Sequence, residues 1–427
     1  MTELKPATEI SSRASKVQKV VADCGVVAWL VEDYAVPVVA LDVAFKGGST
    51  QDPPGKAGAA TMFAGLLDEG AGALDSEAFH RALDDRAIEL SFSADRDIVT
   101  AHLRTLAQHA GPAFDLLRLC LAEPRFDEVA VERVRRQLGA GLKREMNDPD
   151  SVAARLFRAH GFAGHPYGLP GRGDLGSVAR VERADFSAMH TAMLARDNVK
   201  LAAVGAISAA SFKRHLDAIF SPLPAHARLA AAPATVLQGM GSRHIADLDL
   251  SQSTIRFGRP GIARHDPDFI AAMVVNHILG GGVFTARLFS EVREKRGLAY
   301  TVYSQMANYD HAQVVMGSTS TKNERALEAL EVIQGEIRAM GRDGPTADEL
   351  DKARNYLAGS YALRFDTSAK IAGQLVQLQL DGFGVEFLDQ RNKLVEAVTL
   401  EDAKRAAARL LGDGELLVAV AGRPVGM

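Results

Sequence analysis

VERADFSAMHTAML at residues 181–194, followed by LAAVGA at 201–206, returns as VTLEDAKRAAARLL at 398–411, followed by VAVAGR at 418–423. The two pieces lie 217 positions apart. Further out, FDEVAVERVRRQLGAG at 126–141 matches TADELDKARNYLAGS at 346–360 at an offset of 219 when Leu138 is set on Leu357. Separated segments that agree on nearly one offset mark an internal duplication, which fixes the unit of the fold before any single element is read. Two copies of one domain are therefore expected, 1–228 and 236–427. They join near 221–242, where SPLPAHARLAAAPATVLQGMGS has the Pro, Ala and Gly content of a linker. At 427 residues the chain also exceeds what one hydrophobic core usually serves.

Within each copy the pattern is strands, then a block of helices, then one terminal strand. Alternating or continuous apolar runs at 25–31, 36–46, 89–105 and 199–205 read as strands, and so do 243–257, 298–305, 312–319 and 415–421. Apolar residues at three- and four-residue spacing predict helices at 109–121, 126–145, 322–340 and 346–363. Hairpins kept apart from helical blocks indicate α+β rather than a doubly wound parallel sheet. The expected unit is one mainly antiparallel sheet covered by helices.

Composition excludes several classes. Hydrophobic residues make up 47% and charged residues 24%, which is ordinary for a folded globular chain. The balance of 49 basic against 53 acidic residues leaves −4, against nucleic-acid binding driven by net charge. Cys24 and Cys120 form no C-x-x-C pair and read as core or free thiols. The apolar runs VVAWLV at 26–31 and VPVVALDVAF at 36–45 are too short to span a bilayer. MTELKPATEISSRASKVQKV has no apolar core of the signal-peptide kind, so a cytoplasmic place is expected for the chain as given, and a periplasmic one if a leader was removed.

Among the twelve histidines no H-x-x-x-H or H-x-x-E-H pair exists. His160 and His165 are five apart, whereas a shared helical face needs three or four, so HPYG at 165–168 reads as a turn. The glycine run LGGGVFTARLF at 279–289 lacks the Lys and Ser/Thr of a phosphate loop and suits a helix-ending turn. In EVREKRGLAYTVYS at 291–304 a charged helix end passes through Gly297 into a strand, with Arg293 and Tyr300 seven apart. Taken alone, an Arg on a solvated helix face and a Tyr on a strand are ordinary.

With FKGGSTQDPPGKAGAA, HPYG, SEVREKRGLAYTVYS and the tandem α+β halves in view, the chain resembles the pitrilysin/insulinase-like metallopeptidases. The resemblance is to the half-size, mitochondrial-processing type, whose two subunits close as a clamshell, and it runs from about residue 20 to the end. It implies an inverted zinc motif, H-x-x-E-H, with a further Glu ligand on a later helix. Here the two His positions fall on Thr61 and Gly65, the catalytic Glu on Ala64, and the later ligand on Ala140 or Gly141. None of these supplies an imidazole or a carboxylate, so this chain is expected to bind no zinc.

The resemblance also implies an Arg and a Tyr reaching across the chamber, and Arg293 and Tyr300 match that spacing. It therefore implies a non-catalytic subunit of a heterodimeric zinc peptidase, inactive alone. Such a subunit would complete the site of a homologous, zinc-bearing partner that hydrolyses unfolded peptides. Tyr303, further along the same strand, is expected to share the face of Tyr300. The alternative implied is a peptide-binding or structural clamshell without peptidase role.

Overall fold

The computed structural model describes residues 12–427, the side chain of Val283 excepted, so most of the segment weighed for a leader lies outside the described residues. The first half runs through β1 (Gln18–Val21), β2 (Val27–Glu32), β3 (Val38–Lys46), a short pair β4 (Gly70–Ala71) and β5 (Leu74–Asp75), then β6 (Glu89–Ala94), β7 (Ile98–Leu106) and β8 (Val199–Gly205). All but the short pair join one sheet in the order β1-β2-β8-β3-β7-β6. The second half supplies β9 (Arg243–Ala246), β10 (Gln252–Pro260), β11 (Ala299–Asn308), β12 (Gln313–Lys322) and β13 (Leu417–Ala421), ordered β9-β13-β10-β12-β11.

Set β2 on β9, β8 on β13 and β3 on β10, and the two orders coincide. In each sheet the first of these pairs with the second in parallel, and the other neighbours are antiparallel. β1 has no counterpart. The run 89–105 resolves into the β6–β7 hairpin, and 243–257 splits into β9 and β10 around an acidic segment whose Asp247 and Asp249 both pair with Arg423.

The central strands are apolar on both faces, and the period-two alternation of a strand shows why. In β8, Leu201 and Ala203 face one core, while Ala202 and Val204 face another. In β13, Val418 and Val420 join the core of the second half, while Leu417 and Ala419 turn the other way. The repeat at offset 217 thus preserves which face each residue serves.

The first of the two faces is covered by helices of the same half. The second face is covered by a helix from the opposite half. Pro149–Gly161, started by Asp148 capping the Ser151 amide and by Pro149 in the first turn, lies on β10 and β13. At an offset of 219, Ser368–Leu380, capped by Thr367, lies on β3 and β8, with Ala372, Leu375 and Val376 buried against Ala44, Ala202 and Val204. The approach is close: a Cβ on Gly258 of β10 would stand 2.7 Å from the Phe157 ring of the crossing helix. Each large apolar side chain fully buried this way contributes about 1.5–3 kcal/mol. The exchange therefore binds the two halves into one body. The linker is stitched down as well, with Leu237 buried beside Phe157 and Leu417, and the Gln238 amide donating to the Gly161 carbonyl at 2.8 Å.

Candidate functional site

Thr61, Ala64 and Gly65, on which the resemblance sets the zinc motif, lie on the helix Ala59–Ala64 and its C-terminal cap, Gly65. Asp52 starts this helix, its carboxylate accepting from the Gly58 and Ala60 amides at 2.8 and 2.7 Å. Burial, opposed by those two donors, pushes the Asp52 carboxyl up to about 7. Thr61 spends its hydroxyl on the Gly171 carbonyl, 3.3 Å away. Ala64 is fully buried, and a Cβ on Gly65 would meet Val134 at 3.6 Å. Val134 and Gly141 share the helix Glu128–Glu145. A Cβ on Gly141 would come 3.2 Å from a guanidinium nitrogen of Arg172, which pairs with Glu145.

A zinc ion does not fit these residues. Zinc needs imidazole, thiolate or carboxylate donors, and the positions provide one already bonded hydroxyl, two glycines and a buried methyl. Arg172 also brings a fixed positive charge to the place where the third protein ligand would stand. Among the described residues, no group of three or more His, Cys, Asp or Glu is arranged to hold a metal ion.

In the second half the structure brings Arg293 and Tyr300 together. The helical turn Phe289–Glu294 is wide, of the π type, and is followed by Gly297, whose φ of +58° lets the chain reverse into β11. Lys295 and Arg296 both pair with Glu291. Arg293, with no carboxylate partner among the described residues, lies over Tyr300 with its guanidinium carbon 4.3 Å from the ring centroid, and 4.8 Å from that of Phe289. Tyr300 is 75% exposed on an edge strand. Tyr303 is three residues on, which in a regular strand would set it on the opposite face from Tyr300. A β-bulge between Ala299 and Val302 changes this, since Ala299 and Val302 both point inward and Tyr300 and Tyr303 both outward. Behind the strand, the Ser304 hydroxyl donates to the Asn276 side chain at 2.9 Å, pinning β11 to the helix Phe269–Asn276.

The other candidates are structural. His165 accepts from the Tyr167 amide through Nδ1 and donates from Nε2 to the Pro233 carbonyl at 3.0 Å, closing the turn at Pro166–Gly168. His160 stacks on His244 with ring centroids 3.5 Å apart. In the glycine run, the helix widens into a π turn at His277–Gly281 and stops. Cys24 and Cys120 are free thiols. One group escaped the reading of the sequence, because its members are far apart in the chain. Arg96, Arg155, Arg158 and Arg256 converge on a cavity of about 530 Å³ that Thr61 and Arg172 also line.

Residues 27–174 match the insulinase family, peptidase M16, and residues 180–357 match the peptidase M16 inactive domain. The chain belongs to the insulinase-like M16 family. Its fold is that of a peptidase M16 inactive domain from Pseudomonas fluorescens, with a TM-score of 0.90 and 29% identity over 96% of this chain and 98% of that one. A protease from Helicobacter pylori has the same fold, with a TM-score of 0.86 and 18% identity over 95% and 99% of the two chains. By sequence, the chain is 25% identical to the Helicobacter pylori non-peptidase homolog YmxG over 79% of this chain and 78% of that protein. It is equally identical, at 25%, to an uncharacterized zinc protease of Mycobacterium bovis over 85% and 84% of the two chains. M16 relatives at one distance thus carry opposite names, and the residues at the site must decide between them.

Proposed function

We propose that this M16 chain is the metal-free subunit of a two-chain peptidase and lends Arg293 and Tyr300 to a zinc site carried by a homologous partner. The observation that carries this is the pairing of a half-buried, carboxylate-free guanidinium with an exposed phenol on a bulged edge strand. The arrangement suits a peptide carbonyl: the guanidinium offers planar donors to the substrate oxygen, and the phenol donates to the negative charge that grows on it during hydrolysis. The inactive-domain match and the non-peptidase relative support a chain without its own metal centre. Zinc and the general base would come from the partner.

Steady-state kinetics on the reconstituted pair test the assignment. Arg293→Ala is expected to raise KM and lower kcat, because it holds the carbonyl in the ground state as well, whereas Tyr300→Phe lowers kcat with little change in KM. Tyr303→Phe, on the same face, serves as the control. If neither Arg293→Ala nor Tyr300→Phe alters turnover, the chain is a scaffold and the assignment fails.

A further inference from the structure

The arginine cavity sits where three elements meet: the turn between β6 and β7 brings Arg96, the crossing helix brings Arg155 and Arg158, and β10 brings Arg256. The acidic groups on its wall neutralise them only in part. Asp174 is spent on the Gly176 and Ser177 amides, and Glu145 on Arg172. Asp95 and Asp150 come no nearer than 3.8 Å to Arg96 and Arg256. Among the described residues Arg155 and Arg158 have no carboxylate within reach, and the Nε atoms of Arg158 and Arg256 are buried without a hydrogen-bond partner. Burial, and then the charges of Arg96, Arg256 and Arg155, pull Arg158 down to about 10, which leaves it charged at neutral pH among like charges. Arg96 is steadied by the Tyr309 ring, 4.8 Å from its guanidinium carbon.

We infer that this cavity is a carboxylate-binding subsite, in which Arg158, Arg256 and Arg96 clamp a C-terminal or side-chain carboxylate of a bound peptide. A planar guanidinium matches a carboxylate in two-point contact. The volume is that of a ligand-sized cleft, roughly 300–1,000 Å³ in the usual case, and far exceeds one inorganic anion. Apolar walls such as Leu142 and Met146 suit a peptide stem, and the remaining wall acids disfavour a multiply charged phosphate chain. The choice of a peptide as ligand rests on the proposed function, but the site acts in this chain alone.

The test is binding of a fluorescent glutamate-rich peptide by the isolated chain, against the same peptide with glutamine. The acidic peptide is expected to bind more tightly, and less so as salt is raised. Arg158→Met and Arg256→Gln are each expected to weaken it by about tenfold or more, the loss of one charge-assisted contact. Their melting temperatures should hold or rise, since like-charge repulsion is relieved. Arg338→Gln, exposed on the helix Ala326–Asp343, should bind as the parent does.

Equal affinity for the two peptides, or an unchanged affinity in Arg158→Met, overturns the inference. So does an equal loss in Arg338→Gln, which would mean general charge attraction. Inorganic phosphate that binds and protects the chain where the acidic peptide does not would make this a free-phosphate site and also overturn it. Acidic-peptide binding that persists when the paired-peptidase assay fails separates the two claims.

Discussion

Thr61, Ala64, Gly65 and Gly141 in the first half, and Arg293 and Tyr300 in the second, stand on two copies of one scaffold that close their sites in opposite ways. In the first half the positions on which the resemblance sets the zinc motif carry a hydroxyl bonded to Gly171, apolar packing and the Arg172–Glu145 pair, beside the arginine cavity. In the second half Tyr300 stands exposed with the half-buried Arg293 stacked on it, and among the described residues neither side chain has a hydrogen-bond or carboxylate partner. Thr61 and Arg172 are thereby partnered, which avoids the cost of orphaned polar groups. On the proposed function, the Arg293–Tyr300 pair finds its polar partner outside the molecule.

If the two loci differ in this way, substitutions at them should part company. The largest effect is expected at Tyr300: Tyr300→Phe should lower kcat of the reconstituted pair by roughly 10²–10³, the usual loss for one oxyanion donor. Thr61→Ala should leave kcat as it was. A matching loss at Thr61 would show that the first locus still takes part in the chemistry.

Next comes the exchange of helices that makes the two halves one body. Leu375→Ala on the crossing helix should cost roughly 3 kcal/mol through the cavity it leaves, and the chain should still melt in one transition. Calorimetry resolving two transitions, with only one displaced, would show that the halves fold separately.

A smaller effect is expected at Glu349, which clasps Arg287 at 2.6 and 2.7 Å and so braces the segment leading to Arg293. Burial opposes its charge, but Arg287 and the Thr346 donors outweigh it and hold the Glu349 carboxyl at about 2. A carboxyl lowered on folding stabilises above its unfolded value near 4.5, and that contribution is lost as pH falls toward about 2. Glu349→Gln should therefore cost roughly 2 kcal/mol at neutral pH, as a charged hydrogen bond does, and little at pH 2.5. Chemical denaturation at the two pH values checks this.

The duplication was legible because it lies in the chain itself: the offsets of 217 and 219 reappear as matching strand orders and matching crossing helices. Which sheet each crossing helix covers was not. RLFRAHGF at 155–162 and IAGQLVQL at 371–378 have ordinary amphipathic spacing, and periodicity says that a face is buried without saying against what. The bulge that turns Tyr303 to the side of Tyr300 arises from pairing with β12, so no local pattern announces it. The arginine cavity was hidden for the same reason, since Arg96, Arg158 and Arg256 become neighbours only through the exchange.

The central claim is that one half of a catalytic constellation has been emptied here while the other half is kept for a second chain. It is tested most directly by measuring zinc content and peptide turnover for the isolated, tag-free chain and for its mixture with a homologous chain bearing H-x-x-E-H. The expected result is no stoichiometric zinc and no turnover by this chain alone, with zinc-dependent hydrolysis by the mixture that exceeds the second chain's own. One equivalent of zinc with turnover in the isolated chain, or no gain on mixing, would contradict it.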